Sequence, residues 1–309
     1  MSGVLVVGGG AMGCLFAAEI AGAGHEVTVL DPAAAIVTAI EQHGVRLVRG
    51  DEERRVPSVS AVSDPAKAGH VDVAFIFVKA QHTASVAEQA AAYLSADTTV
   101  ASLQNGWGNA DVLARAVPAD RLVCGVTYHS CTVLEPGRVA HTGRGPTFVG
   151  PYTPGGEGSR ANAVAELLAD SGFEVTATPD VHTEIWKKLV LNAATLAVAS
   201  LTGLRTGALG HHAEAMSVVD TLTAEAVAVG RARGLDVGLD ERITRIHTAL
   251  AGGGDGKASM LQDVQARRKT EVEVVNGAIA RAGGELGVPT PLNEAMVALI
   301  HGLEESWCQ

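Results

Sequence analysis

The sequence predicts an α/β chain, a doubly wound and mainly parallel sheet followed by an all-helical second domain. Three observations carry that expectation. Short apolar runs alternate with helical patterns as far as about residue 178, a glycine-rich turn joins the first run to the first helix, and after Pro179 the patterning becomes helical throughout.

The first run, Val4-Leu5-Val6-Val7, ends in Gly8-Gly9-Gly10-Ala11-Met12-Gly13 and opens into an apolar helix through Cys14–Ile20. A second run, Glu26-Val27-Thr28-Val29-Leu30, closes on Asp31. Strand, Gly-x-Gly-x-x-Gly turn, helix, second strand and terminal acid fall within one βαβ unit of about 30 residues, the context in which a glycine pattern reads as a dinucleotide fingerprint. In that Rossmann-type reading Gly8 allows the tight turn, Gly10 lets the backbone approach a pyrophosphate, and Gly13 lets the helix close on the strand. The helix start at Ala11 and Met12 turns unpaired N–H groups and a positive dipole end towards the same anion. The plainer alternative is an ordinary Gly-rich βα turn that binds no nucleotide.

A helical pattern follows over 32–43, then β-like runs at 45–48 and 55–59. The run 71–78 is a buried strand ending at Lys79, and a helix over 83–94 leads to a strand at 98–103. That strand stops at Gln104-Asn105-Gly106, which by itself is only a turn signal. Further strands are expected at 122–128, 137–141 and 173–178, with a helix at 160–170. The boundary near residue 180 gives a dinucleotide-binding domain, 1–180, and a helical substrate and catalytic domain, 181–309. The second domain reads as helices near 182–201, 210–233, 238–252, 258–283 and 291–305.

With 34 acidic against 23 basic residues and a net charge of −11, nucleic acid and anionic membrane are excluded as general partners, and an anionic substrate needs local positive charge. The longest apolar stretch, Leu189–Leu201, is interrupted by Asn192, Thr195 and Ser200, so no membrane span is expected. No basic-plus-apolar leader precedes the first strand, and four cysteines without a Cys-x-x-Cys pair fit a reducing cytoplasm. His211-His212 lacks a third ligand at metal-site spacing and reads as a helix start, so no metal is expected.

Two stretches of the second domain carry chemistry. In Trp186-Lys187-Lys188-Leu189-Val190-Leu191-Asn192, Lys188 and Asn192 share a helix face. A lysine there could protonate a carbonyl oxygen beside an orienting amide, although two lysines on a helix are often just a wet face. In Ser259-Met260-Leu261-Gln262-Asp263 through Glu271, Ser259 could be a helix cap and Glu271 an ion-pair partner of Arg267 or Arg268. On one continuous helix Ser259 and Glu271 would stand roughly 18 Å apart, so both could not touch one reacting atom.

With these pieces in order, the chain resembles the ketopantoate reductase (2-dehydropantoate 2-reductase) family over essentially its whole length. The matching pieces are Gly8–Gly13, Lys79, Gln104-Asn105-Gly106, Trp186–Leu189 with Asn192, and Ser259–Glu271. The resemblance implies reduction of a 2-oxo acid to a 2-hydroxy acid with NAD(P)H. It implies Lys188 as proton donor, Asn105 between nicotinamide and substrate, Asn192 and Ser259 as substrate ligands, and Glu271 as a cofactor contact. By position Cys131 falls beside the nicotinamide, and His129 is a candidate second acid.

Two departures bear on specificity. The family's second asparagine on the Lys188–Asn192 stripe is here Leu196, followed by Ala197, and Thr206 stands where another asparagine tends to occur. An apolar wall at Leu196 favours a branched or aryl 2-oxo acid lacking the distal hydroxyl. Asp31 stands where NADPH-using members tend to carry arginine; a carboxylate suits the ribose hydroxyls of NADH and repels a 2′-phosphate, whereas the resemblance implies that Lys79 helps bind that phosphate and so favours NADPH. The balance leans to NADH. The partners expected are a small-molecule 2-oxo acid and a second copy of the chain in a homodimer. A rival from another class is a nucleotide-sensing protein without turnover, which would have no use for Lys188.

Overall fold

The computed structural model describes residues 2–308. The chain divides into two compact units. The first takes in residues up to Gln104 together with Asn109–His182; the second takes in Asn105–Gly108 and the chain from Thr183 onward.

The first unit runs β1 (Gly3–Val7), α1 (Ala11–Gly22), β2 (Glu26–Leu30), α2 (Ala34–His43), β3 (Val45–Arg49), β4 (Glu52–Val56), β5 (Val59–Val62), β6 (Val73–Ile76), α3 (Thr83–Gln89) and β7 (Thr99–Ser102). It continues through α4 (Asn109–Leu113), β8 (Leu122–Thr127), β9 (Ser130–Glu135), β10 (Arg138–Gly143), β11 (Thr147–Pro151), α5 (Ser159–Asp170) and β12 (Val175–Ala177). Eight strands form the main sheet in the order β12-β11-β8-β7-β6-β1-β2-β5. All its pairings are parallel except β8 with β11. Both faces are covered, which explains the unbroken apolar runs. Val4 and Val6 of β1 join the cluster around α1 and α5, while Leu5 and Val7 join the one around α3 and α4.

A second, four-stranded sheet, β4-β3-β10-β9, lies outside what the sequence pattern announced. Its Val45, Leu47, Val56 and Val139 pack into the same cluster as α1, so that helix is covered on both sides and is apolar but for Glu19, which pairs with Arg49 and Arg54. The run expected at 55–59 is in fact two strands, β4 and β5, parted by a turn at Pro57-Ser58, where proline has no N–H for a ladder.

The second unit is helical: α6 (Val181–Thr202), α7 (Thr206–Gly210), α8 (Ala213–Ala232), α9 (Leu239–Ala251), α10 (Ser259–Gln265), α11 (Asn276–Leu286) and α12 (Pro291–Ser306). Its core gathers Trp186, Leu189, Val190, Val219, Leu222, Ile246, Ile279 and Ile300. No described helix is long and apolar enough to cross a membrane. The helix expected over 258–283 is broken after Gln265: Arg267 takes a left-handed φ of 48° and a single 3-10 turn, Val272–Val274, precedes α11. The 18 Å spacing of Ser259 and Glu271 rested on continuity and does not apply.

Candidate active site

In the first unit, β1 delivers the chain to Gly8, whose φ of 106° belongs to the left-handed side that glycine tolerates. A Cβ there would stand 3.0 Å from Phe77 C and Val78 N, in the loop leading to Lys79. At Gly13 a Cβ would lie 1.8 Å from the Gly8 carbonyl oxygen, so α1 closes on the turn only because that atom is missing. Gly10 is the N-cap of α1 with no side-chain cap, and a Cβ on it would meet nothing within 4 Å. No side chain on Gly10 therefore screens the helix-start N–H groups of Ala11 and Met12, an arrangement that suits a pyrophosphate.

Asp31 is buried and accepts from two backbone groups: Oδ2 from Gly9 N–H at 2.7 Å and Oδ1 from Ala33 N–H at 2.9 Å. Each oxygen keeps a lone pair for a ribose hydroxyl, and neither can donate to a phosphate. Lys79, half-buried, begins the 3-10 turn Ala80–His82. Cys131 on β9 is close enough to Cys14, itself bonded to the Gly9 carbonyl, for their charges to interact; burial pushes the Cys131 thiol up to about 12, so it is an inert, apolar-like wall.

In the second unit, Lys188 on α6 donates from Nζ to Asn105 Oδ1 at 2.8 Å. Burial pushes its ammonium down from the usual lysine value to about 8, against the field of Glu271, which pushes it up. A lysine so placed holds its proton at neutral pH and gives it up readily. Asn192 follows one turn later, buried at 8% exposure, with no side-chain hydrogen bond to any described residue. Its amide is not among the fully buried polar groups left without a partner, so it keeps open space beside it that a ligand could enter. Leu196, the next residue of the stripe, is half-buried against the helical core.

The break after Gln265 changes what the third motif does. Arg268 pairs with Asp263, not with Glu271, while the Glu271 carboxylate is turned to act on Lys188. Ser259 is not the cap either: Ala258 holds that position, and Ser259 is exposed at the first helical residue. Removing the Glu271 charge leaves the Lys188 ammonium less supported. Glu271→Gln should therefore move the alkaline limb of the kcat/KM profile for reduction, near pH 8 in the parent, about one unit towards acid. A profile measured with one substrate at saturating cofactor checks this.

His129, the candidate second acid, lies against His141 and Arg49. Arg49 Nε donates to His141 Nδ1 at 3.2 Å, which fixes the proton on His141 Nε2 and makes it the donor to His129 Nδ1 at 2.8 Å. Burial, with His141 and Arg144 nearby, pushes His129 down to about 4, so it stays neutral. The pair borders a cavity of about 130 Å³ with Glu19, at the far end of α1 from the glycine turn. Among the described residues no cluster suited to a metal ion occurs.

Sequence reasoning missed what holds Asn105 in place. Gln104, before it, is buried and donates to the Val78 carbonyl and the Thr83 hydroxyl, both at 2.9 Å. Trp107, after it, stacks edge-on to Trp186. The two tryptophans beside the recognised motifs were the available signal.

A glycine-turn α/β unit and a helical unit presenting a half-buried lysine together define a two-unit oxidoreductase. The ketopantoate reductase PanE/ApbA model matches residues 4–154, and its C-terminal companion matches 180–304. The chain belongs to the ketopantoate reductase family. It is 32% identical over 297 residues to a 2-dehydropantoate 2-reductase of Halobacterium salinarum, covering 96% of this chain and 97% of the relative. It is 30% identical to one from Archaeoglobus fulgidus, covering 97% of each. Among solved structures, a ketopantoate reductase from Ralstonia eutropha JMP134 superimposes with a TM-score of 0.88 at 32% identity, over 99% of this chain and all of that one. D-mandelate dehydrogenase with NADH and anilino(oxo)acetate does so with a TM-score of 0.92 at 26% identity, over 98% of each chain.

Proposed function

We propose that the protein is a cytoplasmic reductase of the 2-dehydropantoate 2-reductase type, reducing a 2-oxo acid to its 2-hydroxy acid with NAD(P)H. The observation that carries this is Lys188: an ammonium with its pKa near 8, bonded to Asn105, on a helix face continued by the amide of Asn192. When bound, the cofactor supplies a hydride to the ketone carbon. Negative charge then grows on the ketone oxygen; Lys188 stabilises it and transfers its proton there, and Asn105 keeps Nζ aimed. Asn192 and Ser259 hold the substrate. Gly8, Gly10, Ala11, Met12 and Gly13 receive the pyrophosphate, with Asp31, Lys79, Asn105, Cys131 and Glu271 completing the cofactor contacts.

NADH is the preferred reductant in this reading. A 2′-phosphate would bring a second anion against buried Asp31, whereas a ribose diol finds two acceptors. A second substrate reading rests on Leu196: an apolar side chain on the stripe recognises a branched or aryl 2-oxo acid better than one with a distal hydroxyl. A panel of 2-oxo acids, 2-dehydropantoate and phenylglyoxylate among them, assayed by loss of reduced-nicotinamide absorbance with each cofactor, tests both readings. Turnover of none of them overturns the proposal, and a strong NADPH preference overturns the cofactor assignment. Leu196→Asn is expected to raise the kcat/KM ratio of 2-dehydropantoate over its hydroxyl-free analogue about tenfold or more, by adding a buried hydrogen bond.

A further inference from the structure

We infer that Trp107, Trp186 and Arg233 form a clamp on the Asn105–Gly108 segment, acting as positioning residues for the Lys188–Asn105 pair. This rests on Lys188 being the proton donor. The segment has neither helix nor strand of its own, so anchors outside it must set its shape. Gly106 takes a φ of 88° and lies flat on the Val274 carbonyl, where a Cβ would come within 2.5 Å. The next residue, Trp107, donates its backbone N–H to that carbonyl at 2.9 Å.

The side chains complete the grip. The Trp107 ring meets the Trp186 ring at 5.0 Å between centroids and 78° between planes. Trp186 is fully buried and donates from Nε1 to the Ala226 carbonyl on α8 at 3.0 Å, so it cannot drift. The Arg233 guanidinium, just past α8, stands 5.5 Å from the Trp107 ring and 5.7 Å from the Trp186 ring. It also donates to Glu285 on α11 at 3.3 Å. Thus α6 grips one short segment at two points: Lys188 holds Asn105, and Trp186, two residues earlier, holds Trp107. Without the Trp107 ring against Trp186, the Asn105 carbonyl would leave Nζ, and the ammonium would be one acceptor poorer.

The test compares Trp107→Leu, Trp107→Phe, Arg233→Met and Lys188→Ala in the full chain. Trp107→Leu is expected to lower kcat about 10–100-fold, with KM for the 2-oxo acid changed less than about threefold and the alkaline limb of the kcat profile moved towards acid. Trp107→Phe, which keeps a ring against Trp186, should restore most of the loss. A fall in kcat with an unmoved limb, or an unchanged kcat, overturns the inference. Should Trp107→Leu fail to fold, Arg233→Met, at a side chain 29% exposed, serves for the same readings. Amide exchange at Trp107 should speed up about tenfold in Arg233→Met, whatever Lys188 does; unchanged exchange overturns the clamp. Full turnover in Lys188→Ala instead overturns the proton-donor reading.

Discussion

Replacing Lys188 by alanine should lower kcat for 2-oxo acid reduction about 10³-fold while leaving the Kd of NADH within about twofold of the parent. The loss is large because two services end together: the charge that stabilises the developing alkoxide and the proton that quenches it. The residue is suited to both by its surroundings, since burial brings its pKa to about 8 and Glu271 keeps it from falling further. Arginine should not rescue, because a guanidinium does not release its proton in this range. Single-turnover absorbance measurements and a fluorescence titration of reduced cofactor separate the two quantities. Parent-like turnover in Lys188→Ala would overturn the assignment of the proton to Lys188, whereas an absence of turnover in the parent as well would favour the nucleotide-sensing alternative.

The second large effect is expected at Gly13. A methyl group there would stand only 1.8 Å from the Gly8 carbonyl oxygen, far inside van der Waals contact, so α1 must slide off the turn. We expect Gly13→Ala to cost about 3 kcal/mol of stability and to weaken cofactor binding at least about tenfold. Gly10→Ala provides the contrast. Its Cβ meets no protein atom within 4 Å, so thermal unfolding should change little while cofactor affinity still falls, the methyl standing where a pyrophosphate approaches. Calorimetry and cofactor titration on the two variants make the comparison. Equal effects on stability would mean that the turn is not shaped as described.

The parts of this molecule that follow a local rule were legible in the amino-acid string. The βαβ unit around Gly8–Gly13 combines turn chemistry with period, and α6 carries Lys188 and Asn192 at a spacing that fixes one face. Other features depend on contacts between distant residues, and patterning is blind to those. Strand β3 pairs with β10, Arg46 against Arg138, so the small sheet arises from residues that share no local signal. The break at Arg267 is hidden because the stretch 258–283 keeps an apolar rhythm through a left-handed residue. Glu271 shows the same limit: nearby arginines offered a sequence partner, but the chain reversal gives it to Lys188.

Helix α1, apolar but for Glu19, which pairs with Arg49 and Arg54, has a consequence for how the chain is made. Its outer side is sealed by a sheet in which β3 pairs at once with β4 but must wait for β10 along its other edge, since Leu47 pairs with Val139 far downstream. At ordinary ribosomal speeds of about 5–20 residues per second, that wait lasts roughly 5–20 s. Throughout it the nascent polypeptide carries a greasy helix with one flank open, and this interval is when a chaperone has most to guard.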